Sequence, residues 1–137
     1  MESKMHMNLV SVAMNYVQSI IPKEKHSLIQ YDSTGEISCI RLIGGYIPDI
    51  YYNFQGLMVI GEAKTADDFS REHSKLQFEA YFNECKIYKG ETILVIVVPW
   101  NIVPAAKNYF RRIRNKMELE ENNHIFVLNE LGGCFEI

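Results

Sequence analysis

Hydrophobic positions change their period several times along the chain, and each change marks an element. From His6 to Ile21 the apolar residues Met7, Val10, Met14, Val17 and Ile21 recur at three- and four-residue intervals, and Pro22 follows. This predicts an amphipathic helix stopped by proline. Pro22 to Gly35 is polar and reads as a connection, with the beginning of a strand at Ser27 to Tyr31. Glu36 to Ile43 alternates as a strand does, and Gly44-Gly45 breaks it. Two short apolar runs follow, Ile50 to Phe54 and Leu57 to Ile60, on either side of Gln55-Gly56. Glycine there supplies the positive φ of a tight turn, so the segment predicts a β-hairpin, with Pro48 at a strand start where its missing N–H costs nothing.

Beyond Lys64 the chain is polar through Thr65 to Ser70 and then helical to about Lys89, with Asp67 or Asp68 as cap and Gly90 as terminator. Phe78, Phe82 and Cys85 form one line on that helix, and Gln77, Tyr81, Glu84 and Tyr88 a more polar one. Thr92 to Val98 is a β-branched apolar run, as a buried strand requires, and Pro99 ends it. A helix over Val103 to Glu121 and a short strand over Ile125 to Leu128 complete the order. The sum is an α/β fold, a mixed sheet with helices packed against it, in a single domain over residues 1–137.

The hairpin brings chemistry together. If its turn is centred on Gln55 and Gly56, Phe54 faces Leu57, Tyr52 faces Val59, and Asp49 faces Glu62. Directly opposed residues have Cβ atoms roughly 4.5–5.5 Å apart, and like charges there destabilise a sheet. At an effective dielectric of about 20, two carboxylates near 5 Å repel by about 3 kcal/mol, so the pair needs a cation or a shared proton. Lys64 lies on the same face as Glu62, two residues on. Two acids and a lysine on a rigid hairpin suit Mg²⁺ or Mn²⁺, which bind through one or two carboxylates plus substrate phosphate. The bland reading is a solvated sheet face on which lysine neutralises glutamate. Against it, Val59, Ile60 and Ala63 place Glu62 at the end of an apolar strand.

Pro48-Asp49 followed after the hairpin by Glu62-Ala63-Lys64 resembles the signature of the PD-(D/E)xK nuclease superfamily, which includes many restriction endonucleases, Holliday junction resolvases and RecB-type nuclease domains. Many members carry Gln-x-x-x-Tyr on the following helix, and Gln77-Phe78-Glu79-Ala80-Tyr81 has that form. The resemblance implies a restriction-endonuclease-like αβββαβ core and a metal-dependent nuclease, with DNA as the expected substrate. By the same resemblance Asp49 and Glu62 hold the metal with the backbone carbonyl of Ala63, Lys64 positions the attacking water, and Gln77 and Tyr81 support the site or touch substrate phosphate. Between two acids an ammonium is a poor base, which favours positioning for Lys64. The acid that some members carry on the first helix has no counterpart, since Lys4 to Ile21 contains none.

Charge refines the picture. The chain is 47% apolar and 23% charged with a formal net charge of -3, so it is a folding sequence rather than a disordered one, and any DNA contact must be local and salt-sensitive. Lys107, Arg111, Arg112, Arg114 and Lys116 put five basic residues into ten positions without an acid. A solvated helix face is the ordinary explanation, but 107, 111 and 114 form one stripe that could track a phosphate backbone. His6, His26 and His124 carry no metal-ligand spacing, and a lone His73 near the site mouth is more often bland. The three cysteines, Cys39, Cys85 and Cys134, sit in apolar settings without metal spacing and read as reduced thiols. No apolar run approaches a bilayer span and no secretory leader is legible, so the expectation is a cytoplasmic protein without a membrane partner; the resemblance implies a homodimer or a place in a larger nuclease complex. Other readings remain: a domain of this fold that binds nucleic acid or protein without turnover, and a hydrolase of another phosphate ester, against which the lack of a glycine-rich phosphate loop counts.

Overall fold

A computed structural model describes residues 3–32 and 43–137 of the chain. The strand expected over Glu36 to Ile43 lies, apart from Ile43, outside the described residues, as does Cys39. Helix α1 (Lys4–Ile20) is capped by Ser3, whose hydroxyl accepts the His6 N–H at 3.1 Å. A short 3-10 turn (Lys23–Leu28) leads to strand β1 (Gln30–Tyr31), so the early part of the expected Ser27 to Tyr31 strand is helical. Strands β2 (Ile50–Phe54) and β3 (Leu57–Ala63) are the hairpin, paired Phe54 to Leu57, Tyr52 to Val59 and Ile50 to Gly61. Its turn has φ of 49° at Gln55 and 80° at Gly56, the left-handed pair that matches the twist of the flanking strands.

The helical stretch after Lys64 is broken in two. Helix α2 (Ala66–Phe69) is capped by Thr65, which accepts the Asp68 N–H at 3.3 Å, and α3 (Glu72–Ile87) begins afresh at Arg71. Asp67 and Asp68 therefore lie inside the first turn of α2 rather than at its cap. Strand β4 (Glu91–Val97), helix α4 (Val103–Met117), β5 (Asn123–Leu128) and β6 (Cys134–Glu136) complete the chain. Helix α4 stops short of Glu121 because Glu118 turns left-handed at φ 55°. Sequence pattern alone does not announce β6, which is a three-residue exposed edge strand.

The six strands lie in the order β1-β2-β3-β4-β5-β6, antiparallel at both edges and parallel from β3 to β5. The fold is thus α/β, with an open mixed sheet covered by helices on both faces. Strand alternation sorts the core into two layers. Met58 and Ile60 face Phe78, Phe82 and Phe110 of α3 and α4, while Val59 and Ala63 face Leu9, Ala13 and Val17 of α1. Each large side chain so buried contributes about 1.5–3 kcal/mol. On α1 the fully buried stripe is Leu9, Ala13 and Val17, with Met7 exposed and Val10 and Met14 only half buried, so the helix is rotated by about one position from the apolar periodicity. Ala13, the smallest of the stripe, belongs to the layer that packs on β3 and β4. Among the described residues no helix is long and apolar enough to cross a membrane.

The turn after α3 holds the hairpin in place. Gly90 has φ 149°, and the Glu91 N–H reaches the Gly56 carbonyl at 2.9 Å. A methyl group at Gly90 would collide with that carbonyl oxygen. Gly90→Ala is expected to cost about 2 kcal/mol, read as a lower denaturant midpoint at unchanged slope.

Candidate active site

The register that pairs Ile50 with Gly61 carries Asp49 and Glu62 to the next opposed position, at the end of the hairpin away from its turn. Alternation puts Glu62 and Lys64 on the face of Met58 and Ile60, under α3. Asp49 and Lys64 are each only 9% exposed and Glu62 4%, which rules out a solvated sheet face for the three. Backbone fixes two of them: the Ala63 N–H donates to Asp49 Oδ2 at 2.9 Å, and the Lys64 N–H to the Val97 carbonyl at 3.0 Å.

Helix α3 supplies the rest. Gln77 and Tyr81, four apart on one helical face, both point at the hairpin end. Lys64 Nζ donates to Gln77 Oε1 at 2.6 Å, and Gln77 Nε2 donates to Glu62 Oε1 at 3.1 Å and to the Tyr81 hydroxyl at 2.7 Å. The Tyr81 hydroxyl in turn donates to Glu62 Oε1 at 2.7 Å. Every polar atom in this chain of bonds has a partner, which is the condition for burying charge without a large penalty. Gln77 therefore serves as a bridge between lysine and glutamate. Tyr81 is fully buried, with its hydroxyl spent on Glu62, so it acts from behind the carboxylates and out of reach of a nucleic acid.

Sequence spacing missed His6. Its Nε2 lies 3.6 Å from Asp49 Oδ2, and it reaches that carboxylate from the first turn of α1. The signal was available in one form only: His6 continues the Leu9, Ala13, Val17 stripe toward the sheet, whereas the Met7, Val10, Met14 stripe leaves it on the side. A histidine thus stands on the first helix where no acid is found. His73, exposed one turn before Gln77 on α3, stands edge-on to Tyr46 with ring centres 5.3 Å apart.

The two acids are shifted in opposite directions. Burial raises Glu62 well above the ordinary glutamate range, the charge of Asp49 raises it further, and Lys64 and Tyr81 only partly offset this. Asp49 is held below its ordinary value: burial opposes ionisation, but hydrogen bonds from His6, from the Glu62 carboxyl and from the Ala63 N–H outweigh it. Opposite shifts in two facing carboxyls favour one proton shared between them over two ionised groups. Both shifts make stability depend on pH. Glu62 contributes stability that is complete below its unfolded pKa and is lost as pH rises through its raised folded value; Asp49 contributes above its unfolded pKa and is lost as pH falls. Glu62→Gln keeps the donors and acceptors while removing the titration. In metal-free buffer its melting temperature is expected to exceed that of the wild type increasingly as pH is raised, with the difference gone in acid.

Beside the cluster lies a cleft of about 770 Å³ at the carboxyl ends of β3 and β4. Its walls include His6, Thr65, Asp67, Asp68, Arg71 and Asn101, while Asp49, Glu62, Lys64 and Gln77 lie behind them and do not line it. It meets the cluster through His6, 3.6 Å from Asp49, and through Thr65, which follows Lys64. In open α/β sheets ligands bind at this end of the strands.

The donor set fits a hard divalent cation in a limited way. Two facing carboxyls that can ionise together only if a positive charge comes between them are what such an ion relieves, and Mg²⁺ needs no more than one or two protein carboxylates. Among the described residues no group of three or more His, Cys, Asp or Glu is placed to hold a metal ion. The basic stripe divides. Lys107 and Arg111 line a separate groove, while Arg114 donates to the carbonyls of Asn123 at 2.8 Å and Glu120 at 3.3 Å and so braces the loop after α4. No protein-family model, curated protein or solved structure matches the chain.

Proposed function

We propose that the chain is a metal-dependent nuclease of the PD-(D/E)xK kind, with a restriction-endonuclease-like core, hydrolysing phosphodiester bonds in DNA. The observation that carries this reading is the burial of Asp49, Glu62 and Lys64 at one hairpin end, tied by Gln77 and Tyr81 and opening beside a cleft. A first helix, an antiparallel run of strands, a helix and a parallel strand are the order that such a core requires, and they support the assignment.

Asp49 and Glu62 would hold Mg²⁺ or Mn²⁺ with the Ala63 carbonyl; such an ion activates water and offsets charge on the phosphate. The protein's own share is positional. Asp49 is aimed by the Ala63 N–H, Glu62 by Tyr81 and Gln77, and the Lys64 ammonium is held by Gln77 where it can orient a water or meet a non-bridging phosphate oxygen. His6 is foremost among the groups that hold the Asp49 carboxyl below its ordinary range against the effect of burial.

Incubation of supercoiled, linear and branched DNA with Mg²⁺ or Mn²⁺, against an EDTA control and a panel of small phosphate esters, tests the reading. Metal-dependent cleavage of at least one DNA form is expected. Turnover of small esters alone would move the assignment to another phosphoesterase. No turnover of any substrate would favour a binding domain without catalysis, a reading that the lack of such a metal-holding group among the described residues also favours.

A further inference from the structure

On the far side of the turn that closes the cleft, the chain presents its single tryptophan to solvent. Trp100 is 68% exposed and follows Pro99, with Pro99 and Asn101 lining the cleft and Trp100 lining the neighbouring groove of about 450 Å³. The ring is not on a loose loop. The Trp100 N–H donates to both carboxylate oxygens of Glu130, at 3.0 and 3.3 Å, and α4 begins three residues on. Across the groove stand Lys107, Arg111, Asn108 and Phe135, with Lys107 Nζ 4.7 Å from the Phe135 ring centre. No acid is among the described residues that line it. An exposed aromatic plane, a second ring beside a cation, and two positive side chains over about one turn of helix make a surface for alternating bases and phosphates.

We infer that this groove binds an unpaired strand of DNA, with a base stacked on Trp100 and backbone phosphates met by Lys107 and Arg111, and that the cleft and groove form one track across the Pro99–Asn101 turn to the carboxylate site. The single strand is favoured over duplex because a base can stack on a side chain only where its own neighbour has been removed. The charge fits as well. A chain of net charge -3 needs a local positive surface to hold nucleic acid, and Lys107 and Arg111 are the part of the basic stripe that is not bracing a loop. The choice of DNA rests on the nuclease reading above; the stacking and charge argument does not.

Because Trp100 is the only tryptophan, its emission reports on the groove directly. The test is a titration of the full chain in EDTA with oligo-dT, with the RNA counterpart and with a blunt duplex of equal length. Saturable quenching by oligo-dT is expected, at least about tenfold tighter than by duplex. With a dye-labelled oligo-dT followed by anisotropy, Trp100→Ala should weaken binding about tenfold or more, Trp100→Phe less, and Lys107→Gln with Arg111→Gln should weaken it while lowering the salt slope by about 1–2. Equal binding of single strand and duplex, preference for the RNA strand, or wild-type affinity in these variants would overturn the inference. The two readings fail separately. Tight oligo-dT binding with no cleavage of any DNA would sink the nuclease and leave the groove, whereas metal-dependent cleavage unchanged in the groove variants would sink the groove and leave the nuclease.

Discussion

Lys64→Ala is expected to lower metal-dependent DNA cleavage by about 10²–10³-fold, the scale seen when a preorganised charge-stabilising donor is removed from a reacting centre. Single-turnover assays at matched circular dichroism check it. The size of the effect follows from how firmly the ammonium is placed. Its backbone is pinned to Val97 and its Nζ to Gln77 Oε1, so the charge is held at one position. Truncation leaves Gln77 Oε1 without that donor, at a cost of about 1–3 kcal/mol, less than the stability of a typical domain. A folded but inactive protein is therefore the expected product. Lys64→Arg should fail to restore the rate, because a planar guanidinium cannot occupy the position of a compact ammonium held by one amide oxygen.

Asp49→Asn is expected to weaken divalent cation binding by more than about 100-fold, beyond what losing an outer-shell partner ordinarily costs. The amide can still accept from the Ala63 N–H, so the hairpin end is preserved while the permanent negative charge of the pair is gone. Glu62 then feels burial without Asp49's charge, and its carboxyl moves down toward the ordinary range without reaching it, since burial is the largest cause of its rise. Calorimetry with Mn²⁺ reads the loss of binding, and thermal unfolding with added cation reads the same loss as a missing rise in melting temperature.

Much of this was legible because the hairpin constrains itself. Gln55-Gly56 can adopt the left-handed pair a two-residue turn requires, and once that turn is set the facing of Asp49 and Glu62 is arithmetic. Four-residue helical spacing likewise brought Gln77 and Tyr81 to a common object. What strand and helix periods could not tell was depth. Tyr81 lies under the site rather than at its rim because α3 packs its Phe78, Phe82 and Tyr81 face on Met58 and Ile60, a matter of tertiary contact. His6 escaped notice for the same reason: Ala13, small and easily overlooked, belongs to the stripe that packs on the sheet, and that choice rotates His6 to Asp49. The break between α2 and α3 was hidden because Ser70 and Arg71 are compatible with helix by propensity, while Thr65 caps a separate first turn. Arg114 shows the limit of charge patterns, since three basic residues on one stripe serve two different surfaces.

The proposed site requires the Asp49–Glu62 pair to exchange a shared proton for a divalent cation, and titration calorimetry of Mn²⁺ into the wild-type protein, repeated in buffers of different ionisation heat and at rising pH, reads that exchange. One site is expected, with proton release on binding and an affinity that strengthens as pH rises, because proton and cation compete for the same two carboxyls. Absence of binding, or binding of equal strength in Asp49→Asn and Glu62→Gln, would contradict the account.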